Sequence, residues 1–350
     1  MYPSDQRLSM SRRGLLALAG AFSLSAVTGC GSDGSSAGPT PTNTASAGTF
    51  PVVMSHALGS TTIKQTPQRI VTVGQGAAEA LIGLGVYPVG VEVNTWGADK
   101  DGHLPWIREA FEKAGRSLPA LFTGGEQLDV EAIAELEPDL ILAPWSGLTQ
   151  KQYDQLTAFC PTVAYEKSAW TTTWDGEIRM VAKALGRPSD GDKLIGDIKK
   201  TLADTAAQHP HWEGTTFSYI YTQGQGTLGI FRPTEQRVAL ISMLGLTVDP
   251  IIDTITANEG SDWALIGLEN ADKLKDSDLI CTRTVHAAAR KQVNSQKLYS
   301  TIPAIKRGSV VEPTDQQLVT AISMINPLTV PWSLPHLADL IDQAVAKVAG

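Results

Sequence analysis

Residues 128–143 read LDVEAIAELEPDLILA, and a looser copy, IGLENADKLKDSDLIC, recurs at 266–281. Aligned on Glu131 and Glu269, each copy has an apolar residue before the glutamate, a leucine five residues after it (Leu136, Leu274), and then an Asp-Leu-Ile stretch. The second copy carries one extra residue before its Asp. Short apolar runs behind a helical period read as a helix feeding a buried strand. A chain that builds this unit twice, about 138 residues apart, is constrained towards two similar halves.

The surroundings of each copy agree. Residues 49–68 alternate as a hairpin; then strands and helices take turns, with helices expected over 76–85, near 106–115 and near 149–159. Residues 172–208 change character. Ile178, Val181, Ala182 and Leu185 keep the 3–4 spacing of an amphipathic helix, Gly186-Arg187-Pro188 breaks it, and the period resumes with Ser189 as a cap and Pro210 past the end. Alternation then restarts, with helices over 235–244 and 332–348 and a helix at Glu269. The pattern predicts two α/β lobes, each a mainly parallel sheet flanked by helices, joined by a long interdomain helix, with a ligand cleft between the lobes. The expected boundaries are an N-terminal lobe over 49–170, a linking helix over 171–188 and a C-terminal lobe over 189–350.

Residues 1–29 belong to neither lobe. Arginines 7, 12 and 13 precede an apolar run, Leu15–Val27, that is too short to span a bilayer, which takes about 20 residues. The segment reads as an export signal. Ser11-Arg12-Arg13-Gly14-Leu15-Leu16 fits the twin-arginine pattern, with general secretion as the alternative. Val27-Thr28-Gly29-Cys30 resembles a lipobox, which makes Cys30 the expected lipidation site, and residues 30–48 are a polar, disordered tether. The expected location is the extracytoplasmic face of the cell membrane. Removing residues 1–29 leaves 25 basic against 35 acidic residues, a net charge of −10, and no basic run argues for nucleic acid. Cys160 and Cys281 lie in or beside apolar strands; they form one bridge or, as expected here, two buried thiols.

Chemistry-bearing motifs are sparse. Gly74-Gln75-Gly76 follows a strand and precedes a helix, but Glu79 stands where a dinucleotide fingerprint needs its third glycine. A nucleophile elbow, a phosphate loop and HExxH are all missing from the sequence, so an enzyme is not expected. His209 and His211 are two apart, poor spacing for one helix face, and no metal site is expected. Trp96, Trp145, Trp263, Arg232 and Arg283 all fall at expected strand ends or the loops beyond them, where a cleft would lie. Aromatic faces with a few cationic donors suit a large, flat or chelated ligand. A glutamate in a first helical turn is also favoured by the helix dipole alone. Two at matching places would project from equivalent surfaces.

The lipobox, the tether, QRIVTVG, ALIGLGVYPVGVE, the two glutamate copies and the W…I…ALGR helix together resemble the helical-backbone substrate-binding lipoproteins of ABC importers for ferric siderophores, haem or cobalamin. The resemblance runs from about residue 50 to the end. It implies that Glu131 and Glu269 dock onto arginines of the two permease subunits, that closure is small, and that the protein acts as a monomer without a cofactor of its own. The siderophore branch fits best. Trp263 sits where hydroxamate-siderophore binders often have a cleft tryptophan, and a chain at −10 suits a neutral or cationic ferric hydroxamate better than an anionic catecholate, with haem next. A signalling or adhesion lipoprotein on the same fold would keep the lobes without needing both glutamates.

Overall fold

The expected N-terminal hairpin is formed by β1 (Val52–His56) and β2 (Gly59–Ile63), antiparallel, with His56 opposite Gly59. The computed structural model describes residues 48–222, 226–258, 261–283 and 287–348; the export segment, Cys30 and the tether to residue 47 lie outside these. Five parallel strands follow: β3 (Ile70–Thr72), β4 (Gly90–Glu92), β5 (Ala120–Phe122), β6 (Leu140–Leu142) and β7 (Thr162–Val163), in the order β5-β4-β3-β6-β7. Every residue of β3 and β6 is buried, as parallel strands covered on both faces require. The covering helices are α1 (Ala77–Gly83), α2 (Pro105–Lys113), α3 (Val130–Glu135) and α4 (Gln150–Thr157). Thr149 and Gln152 close a capping box at the start of α4.

Two helices lead out of this lobe, α5 (Trp174–Ala184) and α6 (Pro188–Gln208). Gly186 at φ +68 ends the first, and Pro188, whose missing N–H costs nothing at the first helical position, begins the second. Helix α5 packs on α1 and β1, whereas α6 packs on α5 and also on the C-terminal lobe. Helix α6 thus touches both lobes, while α5, within the expected linking segment 171–188, packs on the first lobe and on α6. Both helices carry the same apolar period, and only packing tells which lobe each serves.

The C-terminal sheet contains β8 (Thr216–Tyr221), β9 (Gly229–Phe231), β10 (Thr247–Val248), β11 (Trp263–Leu265), β12 (Leu279–Cys281) and β13 (Val310–Val311). Strands β10, β8, β12 and β13 are parallel, repeating the order β4-β3-β6-β7 of the first lobe. The two sequence copies thus end in topologically equivalent strands, β6 and β12, each beside the first strand of its sheet. The second lobe adds an antiparallel pair, with β9 against the end of β8 and β11 against β9. Helices α7 (Gln236–Met243), α8 (Ala287–Asn294), α9 (Pro303–Arg307), α10 (Gln316–Ala321) and α11 (Thr329–Val345) complete it. At Glu269 the structure forms a 3-10 turn, Leu268–Leu274, rather than the expected helix of the first copy. The Asn270 N–H bonds back to Gly267 (3.2 Å) and its side chain to the Ile266 carbonyl (2.5 Å), local bonds that compete with the α-helical ladder.

One hydrophobic core crosses both lobes: Ile70, Leu81 and Leu140 share it with Ile198 and Leu202 of α6 and with Phe217, Leu279 and Leu337. A second seam joins α2 to α11, where Trp106 and Trp332 meet edge to face at 5.4 Å and the Trp332 indole donates to Glu109 (3.2 Å). Cys160 and Cys281 are buried, unpaired thiols. Burial, with Asp139 nearby, pushes Cys160 up to about 12, and burial raises Cys281 as well.

Candidate functional site

In the N-terminal lobe the loops beyond β3, β4 and β6 are stitched into one surface. Gly74 donates its N–H to Glu92 Oε2 (2.7 Å), and the Gln75 N–H donates to the Trp145 carbonyl (3.2 Å). Gly74 has φ +86, and a Cβ there would lie 2.3 Å from the Trp145 carbonyl oxygen, so both the turn and the close approach require glycine. Burial pushes the Glu92 carboxyl up, opposed by the N–H groups of Gly74 and Gly125. Gly74, Gln75, Glu79, Glu92, Asn94 and His103 border a small concavity at this strand edge.

Two of the expected tryptophans stand on this surface. Trp96 is half exposed after β4, and its carbonyl accepts from Thr320 Oγ1 of α10 (3.2 Å), placing its loop at the seam with the other lobe. The Trp145 indole donates to the Trp170 carbonyl (3.0 Å) and meets the Trp170 ring edge to face at 5.5 Å. Trp170, half exposed and at φ +62, is a wall residue that sequence reasoning missed.

The C-terminal wall is a run of touching aromatics. Tyr221 stacks on Phe231 (centroids 4.8 Å apart) and meets Trp263 edge to face at 5.9 Å, while Tyr219 meets Phe231 at 5.6 Å. The Arg237 guanidinium lies 5.0 Å from the Phe231 ring centre, held by Glu235 (2.6 Å) and by Ser323 (2.9 Å). Arg283 follows β12 and is exposed by area, yet its guanidinium is crowded enough that desolvation, with the like charge of Arg237, lowers its pKa. Trp263 thus belongs to the run with Tyr221 and Phe231, and Arg283 lies within reach of the Arg237 charge. The alternation in TFSYIYT, which puts Phe217, Tyr219 and Tyr221 on one face, was the available signal for the tyrosine.

Arg232 does not join them. Its guanidinium donates to the Ile252 carbonyl (2.7 Å) and to that of Ile255, closing the end of a 3-10 turn. Arg232 follows Phe231 directly, and alternation along the strand turns it to the other face: Phe231, paired with Trp263, joins the aromatic run while Arg232 does not.

Both repeated glutamates are exposed. Glu131 lies in the first turn of α3, capped by Asp129 accepting from the Ala132 N–H (2.9 Å), and Glu269 opens the 3-10 turn after Gly267. The leucines that follow point inward: Leu274 is fully buried and Leu136 packs where a Cβ on Gly90 would meet it at 2.4 Å. Remote from these walls in sequence, His209 and His211 converge with Asp342, which their spacing was not expected to allow.

Residues 70–316 match the model of the periplasmic binding protein family. A Bacillus subtilis relative named "Probable siderophore-binding lipoprotein YfiY" is 35% identical over 152 residues, 43% of each chain, so the chain spans less than half the length of that curated relative. The Fe(3+)-citrate-binding protein YfmC of the same organism is 24% identical over 258 residues, 73% of this chain and 75% of YfmC. The crystal structure of Streptococcus pneumoniae PiaA in complex with ferrichrome superposes with a TM-score of 0.76 at 28% identity, covering 85% of this chain and 99% of PiaA. These relatives are binding proteins, not enzymes.

Proposed function

This chain belongs to the periplasmic binding protein family, and from that premise we propose that it captures a ferric siderophore, a ferric hydroxamate for preference, and delivers it to an ABC import permease. The observation that carries the reading is the Tyr221–Phe231–Trp263 aromatic run with Arg237 and Arg283 beside it. Ring faces bury the organic shell of a chelate, and two guanidiniums donate to its peripheral oxygens without demanding a highly charged complex. Ferrichrome, bound in PiaA, is a hydroxamate. The core shared by the lobes supports small closure, so the site would be largely formed before the ligand arrives.

Delivery rests on Glu131 and Glu269. They are exposed, sit at equivalent places in the two lobes, and would meet cationic partners on two permease subunits. Cys30 would carry a lipid that holds the globule, through its tether, at the extracytoplasmic face; relatives named as lipoproteins support this. The protein would work as a monomer.

Tryptophan fluorescence titrated with a ferric trihydroxamate, a ferric catecholate, ferric citrate, haem and cobalamin tests the ligand. Saturable quenching by the trihydroxamate at the lowest concentration is expected. Tighter binding of haem or cobalamin would replace the siderophore assignment, and no response to any of the five would overturn it.

A further inference from the structure

We propose that His209, His211 and Asp342 form a surface site for a zinc-type divalent transition metal, tying the end of α6 to α11. Their ligand atoms all lie within 4.8 Å of one another. Asp342 Oδ1 is the hub: it accepts from the Trp212 indole (2.7 Å) and faces His211 Nε2 (2.7 Å) and His209 Nδ1 (3.1 Å). Trp212 is fully buried, and His209 stacks on its ring at 4.1 Å and 13°, so one imidazole and the carboxylate are already held in place.

Two imidazole nitrogens and one carboxylate oxygen suit zinc and its neighbours, whereas magnesium and calcium prefer all-oxygen shells. Zinc binds such donors at about 2.0–2.1 Å, which sets tetrahedral neighbours about 3.3 Å apart. The two imidazole–carboxylate spacings, 2.7 and 3.1 Å, are tighter than that, and His211, more than half exposed, can turn to open its own. The Trp212 N–H would stay on the carboxylate as an outer donor that fixes its orientation. A fourth position would remain for water. Helical spacing misjudges the pair because α6 has ended: His209 has φ −123 and ψ 59, and Pro210–Trp212 is a 3-10 turn.

The same contacts would serve as a hydrogen-bond hub without an ion, and calorimetry separates the two. Untagged full-length chain, stripped with a chelator, is titrated with Zn2+ and with Mg2+. One saturable equivalent of zinc is expected and none of magnesium. His211→Ala and Asp342→Asn should each weaken zinc at least tenfold, while His336→Ala, on the same helix as Asp342, leaves it unchanged. Zinc-edge absorption of the loaded wild type should show a nitrogen and oxygen shell with two imidazoles. Failure of the wild type to bind zinc saturably, equal binding by both variants, or sulfur in the shell would overturn the site.

Discussion

Glu177 of α5 is 5% exposed, and its Oε1 has no hydrogen-bond partner among the described residues. The carboxyl presses on the backbone of Gly76, so closely that a Cβ there would lie 2.2 Å from Oε2. Burial, and then the neighbouring Glu79 carboxyl, push its pKa well above the ordinary 4.5. The folded chain therefore keeps a proton that the unfolded chain releases as pH rises through 4.5. In that window the folded state binds more protons than the unfolded one, so stability falls with rising pH, by about 1.4 kcal/mol per pH unit per proton, until the folded carboxyl itself ionises. Glu177→Gln removes this loss. The amide brings a pH-independent offset of about 1–3 kcal/mol at a site with an unpartnered oxygen, which shifts the whole curve without changing its slope.

Urea unfolding of wild type and Glu177→Gln at pH 5, 6, 7 and 8 reads the slope directly. The core that crosses both lobes favours a single transition. The variant should gain on the wild type by about 1.4 kcal/mol for each pH unit above 5, until the folded carboxyl ionises. Glu79→Gln should gain less, because burial raises Glu79 too but the Trp106 indole (2.8 Å) favours its charged form. Stability curves that run parallel in pH would refute the reasoning, since they would mean Glu177 is ionised in both states or in neither.

Trp263→Ala should weaken the preferred iron chelate by roughly three- to thirty-fold in a quenching titration, because stacking and cation–π contacts contribute about 0.5–2 kcal/mol each. Arg232→Ala should leave that affinity nearly intact and instead lower the melting temperature, since the side chain closes the Ile252 and Ile255 carbonyls; the reverse result would put Arg232 back in the cleft. Glu131→Ala and Glu269→Ala should preserve folding and ligand affinity while reducing uptake in cells lacking the native gene, with the double variant worse, as lost charge partners at an interface cost about 2–5 kcal/mol. Cys30→Ser should leave the chain unprocessed or release it from membranes, which fractionation and mass spectrometry of the N-terminus would detect.

What could be read from the sequence follows from the range of the forces involved. The repeat around Glu131 and Glu269 was legible because a short helical period and a buried apolar run are local, and both copies end in equivalent strands. The N-terminal tryptophans were legible for the same reason: every strand of that sheet is parallel, so the residue after a strand lies at its carboxyl edge. Strand pairing is not local: β9 against β11 sets Phe231 opposite Trp263 and beside Tyr219, and the sequence alone did not single out Phe231, rather than its neighbour Arg232, for that run. Helices α5 and α6 carry the same period, so the sequence alone does not tell which of them touches both lobes, and His209 and His211 were judged by a helix that had already ended. The antiparallel pair is also where the two halves cease to be alike. It slides an aromatic layer beside β8 that has no counterpart beside β3. The lobes can thus keep matching outer surfaces for two similar partners and still present unlike walls to one ligand. On this view a change of ligand would be written in β9, β11 and the loops beyond β4 and β6, with the glutamate turns left untouched.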